Sequence, residues 1–256
     1  MTRGPIIAID GPAGAGKSTV ARHLAQQFGL LNLETGAMYR AFALKAIRAD
    51  QDFDDACALE RLSRDTAITL EPDRFGNRVF LDGEEVTERV RDSDVTQAAS
   101  RVSVHSGIRA WMVHLQRELG RRGGVVMEGR DIGTVVFPDA DVKVFLDASP
   151  EERSQRRYEQ NSAGKDRLPN TGYEQNPGAR DRDVLTPESG PRHSAVFQEL
   201  RERDERDRNR ADSPLRPAPD AVLIDSTQLT LSEVLTRIED LVRPLFARRG
   251  PAEKAG

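Results

Sequence analysis

Residues Ile7–Thr19, with the sequence IAIDGPAGAGKST, constrain the fold of this chain most strongly. A β-branched apolar run leads into a glycine-rich turn, and the turn opens a segment in which apolar residues repeat at helical spacing until Gly29. The turn has the G-x-x-x-x-G-K-[ST] spacing of a phosphate-binding loop. Glycines let successive N–H groups point inward, beside the positive end of the next helix. A flexible Gly/Ala linker is the alternative, but the flanking strand and helix favour the phosphate loop.

The side chains of this loop predict a nucleoside triphosphate as its ligand. Lys17 would neutralise the outer phosphates, and Ser18 would offer its hydroxyl to the Mg²⁺ that accompanies a triphosphate. The candidate residues for binding the triphosphate are Gly11, Pro12, Ala13, Gly14, Ala15, Gly16, Lys17, Ser18 and Thr19.

Composition limits the classes of protein to which the chain can belong. No apolar run approaches the roughly 20 residues that span a bilayer, and the first strand begins too early to leave room for a signal peptide, so we expect a cytoplasmic protein. The net charge of −4 argues against broad nucleic-acid binding. The single cysteine, Cys57, excludes an internal disulfide and a thiolate metal site, and its small neighbours favour a place on a helix surface.

Short apolar segments predict the fold class. Besides the strand before the loop, four segments resemble buried parallel strands: Leu30–Leu33, Val125–Met127, Val142–Leu146 and Ala221–Ile224. Helical patterns separate them, and the last helix carries an apolar face from Leu231 to Val242 with Thr230 or Ser232 as its cap. These features predict an α/β protein with a doubly wound, five-stranded parallel sheet and ligands at the carboxyl ends of the strands.

Two excursions interrupt this alternation of strands and helices. Alternating apolar residues from Ile68 to Leu81, with a turn at Phe75-Gly76-Asn77 and another at Asp82-Gly83, predict a small antiparallel β insert. Helices over Asp94–Val104 and Ile108–Leu119 follow it. The second excursion begins with a helix start at Pro150, after which Glu159–Arg192 holds few apolar side chains and is predicted to be a disordered loop.

Charged residues follow the predicted third strand. Glu128 could hold waters of the Mg²⁺ bound by Ser18, and Arg130 could grip an anion in a bidentate fork. A salt bridge between Arg130 and a neighbouring acid within the turn is an equally good explanation from the sequence alone.

The most charged stretch, Arg201–Arg210, is predicted to be a helix with two different faces. At helical spacing Arg203, Arg206 and Arg210 share one face with Asp207, which suits the neutralisation of a transferring phosphoryl group. The alternative is a solvated helix in which Glu202 pairs with Arg206 and Asp204 pairs with Arg208. The presence of a phosphate loop elsewhere in the chain favours the first interpretation.

Together these motifs resemble those of the bacterial cytidylate kinases. The resemblance rests on the phosphate loop together with ETGAMYR, EGRDIGTVVFPDA, FLDASPEER and RDERDRNRADSPL, and it extends from Ile6 to about Phe246. It implies an enzyme that phosphorylates CMP and dCMP with ATP and Mg²⁺, and we expect a monomer. It also implies a mobile lid and a monophosphate-binding region enlarged by a β insert.

The resemblance also implies roles for individual residues. Those implied to bind the CMP phosphate are Arg40, Arg130 and Arg210, with Thr35 also at the substrate. Those implied to read cytosine are Ser100, Arg109 and Asp131. Those implied to contact the sugar are Arg203 and Asp207. Arg157 and Arg206 are implied to be lid arginines on the ATP side. The catalytic set is then Lys17, Arg130, Arg206 and Arg210, and the metal site is Ser18 with Glu128.

The chain departs from the family pattern at two acids and in the lid. Glu34 and Glu128 stand where such kinases usually carry aspartate, which moves each carboxylate outward by one methylene. The segment Glu159–Arg192 is longer and more polar than the expected lid.

The predicted elements divide the chain into four structural regions. The core would comprise residues 1–34, 93–150 and 211–247, and the monophosphate-binding region would comprise residues 35–92. The lid would comprise residues 151–210, including the disordered loop 159–192, and residues 248–256 would form a flexible tail.

No catalytic base is needed, because a phosphate monoester with a second pKa of about 6 is largely dianionic at neutral pH. Two other functions stay open at this point: a phosphate-loop kinase for AMP or shikimate, and a nucleotide-dependent switch, although the chain has no N-K-x-D guanine motif.

Overall fold

The computed structural model describes residues 3–73, 76–165 and 191–247. The strands are β1 (Ile6–Asp10), β2 (Leu31–Glu34), β3 (Ile68–Asp73), β4 (Gly76–Leu81), β5 (Glu84–Glu85), β6 (Val125–Gly129), β7 (Val142–Asp147) and β8 (Val222–Asp225). The α-helices are α1 (Lys17–Phe28), α2 (Thr35–Arg48), α3 (Ala56–Arg64), α4 (Ser93–Val102), α5 (Ser106–Gly120), α6 (Pro150–Lys165), α7 (Pro191–Asn209) and α8 (Leu231–Ala247). A 3₁₀ turn spans Arg89–Arg91 and a π-helix spans Ile132–Val136.

The central sheet has five parallel strands in the order β2-β6-β1-β7-β8. This confirms the fold class and the five strands predicted from the apolar runs. In register, Asp10 at the end of β1 lies opposite Gly129 on β6, and Glu34 at the end of β2 lies opposite Glu128. The phosphate loop, Arg130 and the start of α2 therefore meet at one edge of the sheet, where an α/β fold binds its ligands.

The sheet separates two hydrophobic cores, because successive side chains of a strand point to opposite faces. On β1, Ile6 and Ala8 pack with α2, α4, α5 and the apolar side of the β insert. Ile7 and Ile9 pack with α1, α8 and strand β7. Trp111 packs against the first of these cores, since its ring lies edge-on to the buried Phe42 with ring centres 5.2 Å apart. Helices therefore cover both faces and leave the strand ends for ligands.

The β insert is the predicted antiparallel element, with three strands in the order β3-β4-β5. Its turn at residue 75 lies outside the described residues. The side chain of Asn77 joins the insert to the outer strand of the central sheet: Oδ1 accepts from the N–H of Glu34 at 3.0 Å, and Nδ2 donates to the carbonyl of Asn32 at 2.8 Å. Asn77 thereby occupies the hydrogen-bonding positions that a neighbouring strand would fill.

Helices α6 and α7 correct part of the sequence prediction. The predicted disordered loop over Glu159–Arg192 is wrong at both ends, because α6 continues to Lys165 and α7 begins at Pro191. Between them, residues 166–190 lie outside the described part of the chain. The alternative of a solvated, self-paired helix, in which Asp204 pairs with Arg208, is not observed, since Asp204 is buried and lies 2.6 Å from Arg153 on α6.

The remaining expectations concern the end of the chain and the cysteine. Thr230 is the cap of α8: its hydroxyl accepts from the N–H of Glu233, and the Glu233 carboxylate accepts from the N–H of Thr230. Cys57 is exposed on α3, as its neighbours predicted. The predicted tail, residues 248–256, lies outside the described residues. Across the described residues, no helix combines the length and apolar character needed to cross a bilayer.

Candidate functional site

The phosphate loop has the open geometry that its glycines predicted. Gly11, Gly14 and Gly16 all have positive φ angles, of 147°, 79° and 95°. A Cβ atom on Gly11 would lie 1.9 Å from the carbonyl oxygen of Leu146, so a side chain does not fit there. Gly16 forms the N-cap of α1 without any side-chain hydrogen bond to the helix end. The first N–H groups of α1 thus remain available to an anion.

Lys17 begins α1 and lies folded over the loop. Its Nζ donates to the carbonyl oxygen of Pro12 at 2.7 Å, and its side chain is buried. Burial and the positive charge of Arg130 lower the pKa of Lys17 to about 7, although Glu128 acts in the opposite direction. A triphosphate bound in the loop would add negative charge beside this amine and favour its protonated form.

The candidate metal site combines Ser18 on α1 with Glu128 on β6. The Ser18 hydroxyl donates to Oε1 of Glu128. Burial and the nearby charge of Glu34 raise the pKa of Glu128. Within residues 3–73, 76–165 and 191–247, no three His, Cys, Asp or Glu side chains converge on a possible metal position. A hydroxyl and a carboxylate suit Mg²⁺, which takes its remaining ligands from phosphate and water.

A second pocket opens beside the phosphate loop, and we call it the acceptor pocket. It is built from the start of α2, the facing sides of α4 and α5, the end of β6 and the inner face of α7. Its lining residues are Thr35, Gly36, Tyr39, Ala99, Ser100, Ser103, Arg109, Gly129, Arg130, Asp131, Arg203, Asp207 and Arg210. The structure thus brings together all the residues predicted to bind the substrate except Arg40.

Arg109 and Asp131 form the innermost pair of the acceptor pocket. Nη2 of Arg109 lies 2.5 Å from Oδ2 of Asp131, and both side chains are buried. The guanidinium of Arg109 also lies over the ring of Tyr39, 5.8 Å from its centre. Such a fixed donor and acceptor, held away from water, can distinguish ligands by their hydrogen-bonding edges.

Positive charge is concentrated at the mouth of this pocket, around Asp207. Arg130 Nε lies 2.8 Å from Asp207 Oδ2, and Arg210 Nη1 lies 3.6 Å from its Oδ1. Burial opposes ionisation, but the charges of the arginines lower the pKa of Asp207. Arg203 is crowded instead: burial and the charges of Arg130, Arg40 and Arg157 lower its pKa to about 10. One carboxylate therefore faces several guanidinium groups, which leaves a positive charge available to an anionic ligand.

Several polar atoms in and beside the acceptor pocket are buried without a hydrogen-bond partner. They are the hydroxyl of Tyr39, Nε of Arg40, Nε of Arg109 and Nη2 of Arg210. Buried donors of this kind are costly unless a ligand or water satisfies them. Their convergence on one pocket indicates a polar, anionic ligand.

Four predicted residues lie at the border of the site. Arg40 is held 2.5 Å from Glu34 by its Nη2 atom and approaches the pocket closely enough to affect Arg203. Arg206, for which the resemblance implies a place on the ATP side, donates from Nε to the Ser100 hydroxyl at 3.1 Å in this structure. Arg157 lies near Arg203. Thr19 is exposed on α1.

The structure also adds four residues that the sequence did not single out. Tyr39 lines the acceptor pocket, and burial raises its pKa to about 12. Arg153 donates from Nη1 to the carbonyl of Ala13 at 3.1 Å and pairs with Asp204. Asp10 and Asn77 hold backbone near the site. Tyr39 and Arg153 lie inside the motifs quoted above, and that position was the sequence signal by which they could have been found. For Asn77 the sequence offered no signal beyond its place in the predicted turn.

Comparison with known proteins identifies the family. The family model described as cytidylate kinase matches residues 7–186 and 179–244. The chain belongs to the cytidylate kinase family. A cytidylate kinase of Solibacter usitatus is 46% identical over 240 residues, which cover 93% of this chain and 92% of that protein. One of Pelotomaculum thermopropionicum is 48% identical over 239 residues, 93% of this chain and 96% of that protein.

A longer relative matches nearly the whole of this chain. A bifunctional pantoate ligase/cytidylate kinase of a Synechococcus strain is 46% identical over 253 residues, which cover 98% of this chain and 42% of that protein. Membership of the family makes the chain a phosphotransferase that uses ATP to phosphorylate CMP. The alternatives left open by the sequence, an AMP or shikimate kinase and a nucleotide switch, receive no support.

Proposed function

We propose that Mg-ATP binds in the phosphate loop and that CMP or dCMP binds in the acceptor pocket, so that the γ-phosphoryl group passes in line between them. One observation carries this assignment: Arg130 belongs to the acceptor pocket, yet its charge lowers the pKa of Lys17 in the phosphate loop. The two anion sites therefore meet at Arg130. Phosphoryl transfer needs this arrangement, because the donor and acceptor phosphates must come into contact.

The phosphate of the acceptor would lie among Arg130, Arg210 and Arg40. Arg40 Nε and Arg210 Nη2 are buried without partners, so a phosphate would satisfy donors that are otherwise unpaired. The crowding of guanidinium groups around Arg203 would be relieved by the same dianion. Arg203 and Asp207 would contact the sugar at the mouth of the pocket.

The base would lie at the inner end, against Arg109, Asp131 and Ser100. Cytosine presents an exocyclic amino donor where uracil presents a carbonyl acceptor, and an aspartate acceptor suits the former. Arg109 and Ser100 can donate to the ring nitrogen and carbonyl of cytosine. Thr35 has a different position: its hydroxyl donates to the carbonyl of Glu128 at 2.7 Å, so it would support the strand end under the substrate.

The residues present also fit Mg²⁺. Ser18 and Glu128 would hold it directly or through water, and when bound the ion would neutralise charge on the transferring phosphates. The longer Glu128 side chain already reaches the Ser18 hydroxyl. Glu34 is engaged by Arg40, which lowers its pKa against the effect of burial, so Glu34 would remain ionised beside Glu128.

This chain's own residues would then act by positioning and by charge. The acceptor oxygen needs no base, since the CMP phosphate is largely dianionic at neutral pH. Lys17 and Arg130 would stabilise charge between donor and acceptor. Arg157 and Arg206 would act from the lid formed by α6 and α7, and to do so Arg206 would exchange its bond to Ser100 for one to phosphate. Closure would exclude water from the transferring group.

An acceptor panel tests this proposal. ADP release is measured at fixed Mg-ATP with CMP, dCMP, UMP, AMP or shikimate as acceptor. We expect the highest kcat/KM with CMP and dCMP. Chelation of Mg²⁺ should abolish activity. Size-exclusion chromatography should show a monomer. Release that is fastest with AMP, or equally fast without any acceptor, would contradict it.

A further inference from the structure

The carboxylate of Asp10 connects the donor and acceptor halves of the site. Asp10 is the last residue of β1 and directly precedes Gly11 of the phosphate loop. Its Oδ1 accepts from the N–H of Ile132 at 2.8 Å, and its Oδ2 accepts from the N–H of Gly133 at 2.7 Å. Both N–H groups belong to the segment that directly follows Asp131.

The segment held by Asp10 has an uncommon backbone. Residues Ile132–Val136 form a π-helix, a conformation that occurs mainly as single turns at functional sites. Asp131 is its N-cap and makes no side-chain hydrogen bond to the helix end. The first N–H groups of such a turn lack partners within it. The Asp10 carboxylate, at the end of β1, is the partner of these N–H groups. It therefore holds the start of the turn in place.

The contact leaves little freedom at Asp131. Asp10 is buried, and burial raises its pKa to about 6 while the two backbone bonds act against this rise. A Cβ atom on Gly133 would lie 3.4 Å from Asp10 Oδ2 and 3.2 Å from Cδ of Lys143, so the Lys143 side chain packs against the segment beside Asp10. The Asp131 side chain projects from this fixed start to meet Arg109.

We propose that Asp10 is a positioning residue for base recognition, which fixes Asp131 and thereby sets the preference for cytosine over uracil. This rests on the proposed role of Asp131 in reading the base. Asp10 touches neither substrate in this assignment. Because it adjoins Gly11, the same side chain ties the base-reading segment to the phosphate loop.

The test compares the ratio of kcat/KM for CMP to that for UMP in matched variants. Asp10→Asn keeps the size of the side chain but can accept only one of the two N–H groups, because its NH₂ group faces the other. We expect the ratio to fall by about tenfold, the scale of one lost buried hydrogen bond.

Asp141→Asn is the control, because Asp141 accepts from the N–H of Ile6 at 2.8 Å, at the opposite end of the same strand. It removes an exposed carboxylate that accepts one backbone N–H on the same strand, away from the base-reading segment, and it should leave the ratio unchanged. Gly133→Ala displaces the same segment by crowding the Lys143 side chain, whose Cδ would lie 3.2 Å from the new Cβ atom, and it serves if Asp10→Asn does not fold. It should lower the ratio in the same direction.

Asp131→Asn separates failure of this inference from failure of the proposed function. An unchanged ratio in Asp10→Asn or Gly133→Ala, with a lowered ratio in Asp131→Asn, would overturn the positioning role alone. An unchanged ratio in Asp131→Asn would overturn base reading by Asp131, and the positioning role with it. A fall in the Asp141→Asn control equal to that in Asp10→Asn would show that the effect is general destabilisation and would also overturn the inference.

Discussion

Nη2 of Arg109 lies 2.5 Å from Oδ2 of Asp131 in a buried ion pair. The same two atoms of Arg101 and Asp54 are also 2.5 Å apart, but that ion pair is exposed. Distance alone therefore does not distinguish them. A buried guanidinium that loses its partner leaves an uncompensated charge away from water, whereas an exposed one is rehydrated. The two pairs form an internal comparison within one chain.

We predict that Asp131→Ala lowers the free energy of unfolding by about 3–5 kcal/mol, and that Asp54→Ala lowers it by about 1 kcal/mol or less. Urea denaturation of both variants at the same pH checks this. Equal losses in the two variants would show that water reaches the Arg109 guanidinium when Asp131 is removed.

The comparison also shows what the sequence could and could not predict. The phosphate loop and the five strands were predictable because both depend on local patterns: glycine spacing in the loop and short apolar runs in strands that are buried on both faces. The Arg109–Asp131 contact joins residues 22 positions apart and has no local signature. Only the motif resemblance placed these two residues in one site.

The errors around α6 and α7 have a related physical cause. The segment after Glu159 is poor in apolar side chains, which predicted a loop, but a helix already begun at Pro150 adds a hydrogen bond with each further residue and can continue without an apolar face. The alternative considered for α7 paired Asp204 with Arg208, because that spacing is favourable on a helix. Its actual partner, Arg153, belongs to another helix and could not be found from spacing.

Arg210 should matter chiefly for the acceptor. Its Nη2 is buried without a partner and its Nη1 lies 3.6 Å from Asp207. We predict that Arg210→Ala raises the KM for CMP by about tenfold or more, since a charge-assisted contact to phosphate is lost. The KM for ATP should stay nearly constant.

Arg208→Ala is the matched control for Arg210→Ala, because Arg208 is exposed in the last turn of α7, and Arg210 directly follows that helix. Initial rates are measured with CMP varied at saturating ATP, and then with ATP varied at saturating CMP. A rise confined to the KM for ATP would place Arg210 on the donor side.

Asn77 should influence the phosphate site through β2. Its side chain bonds to the backbone at Asn32 and Glu34, and Glu34 in turn holds Arg40. In Asn77→Asp an oxygen would face the carbonyl of Asn32, so we predict a loss of about 1–3 kcal/mol in the free energy of unfolding. The KM for CMP should also rise.

A double-mutant cycle with Arg40→Ala tests the route of this effect. If Asn77 acts on the substrate through Glu34 and Arg40, then Asn77→Asp should raise the KM for CMP much less in the Arg40→Ala background. The same increase in both backgrounds would mean that the insert affects CMP binding by another path.

Lys17 should couple ATP binding to proton uptake. Its pKa is lowered to about 7 by burial and by Arg130, whereas a bound triphosphate favours the charged amine and raises that pKa again. Above the lowered pKa, Lys17 of the free enzyme is mostly neutral, so ATP binding takes up a proton and the affinity for ATP falls as the pH rises. Below that pKa, Lys17 is already charged and ATP binding takes up no proton.

Calorimetry in buffers of different ionisation enthalpy, at about pH 6 and about pH 8, measures this uptake. Lys17→Met is the control, because protons exchanged by ATP itself remain in the variant and cancel in the difference. We expect the two proteins to differ at the higher pH and to agree at the lower one, and equal uptake at both would contradict a lowered pKa.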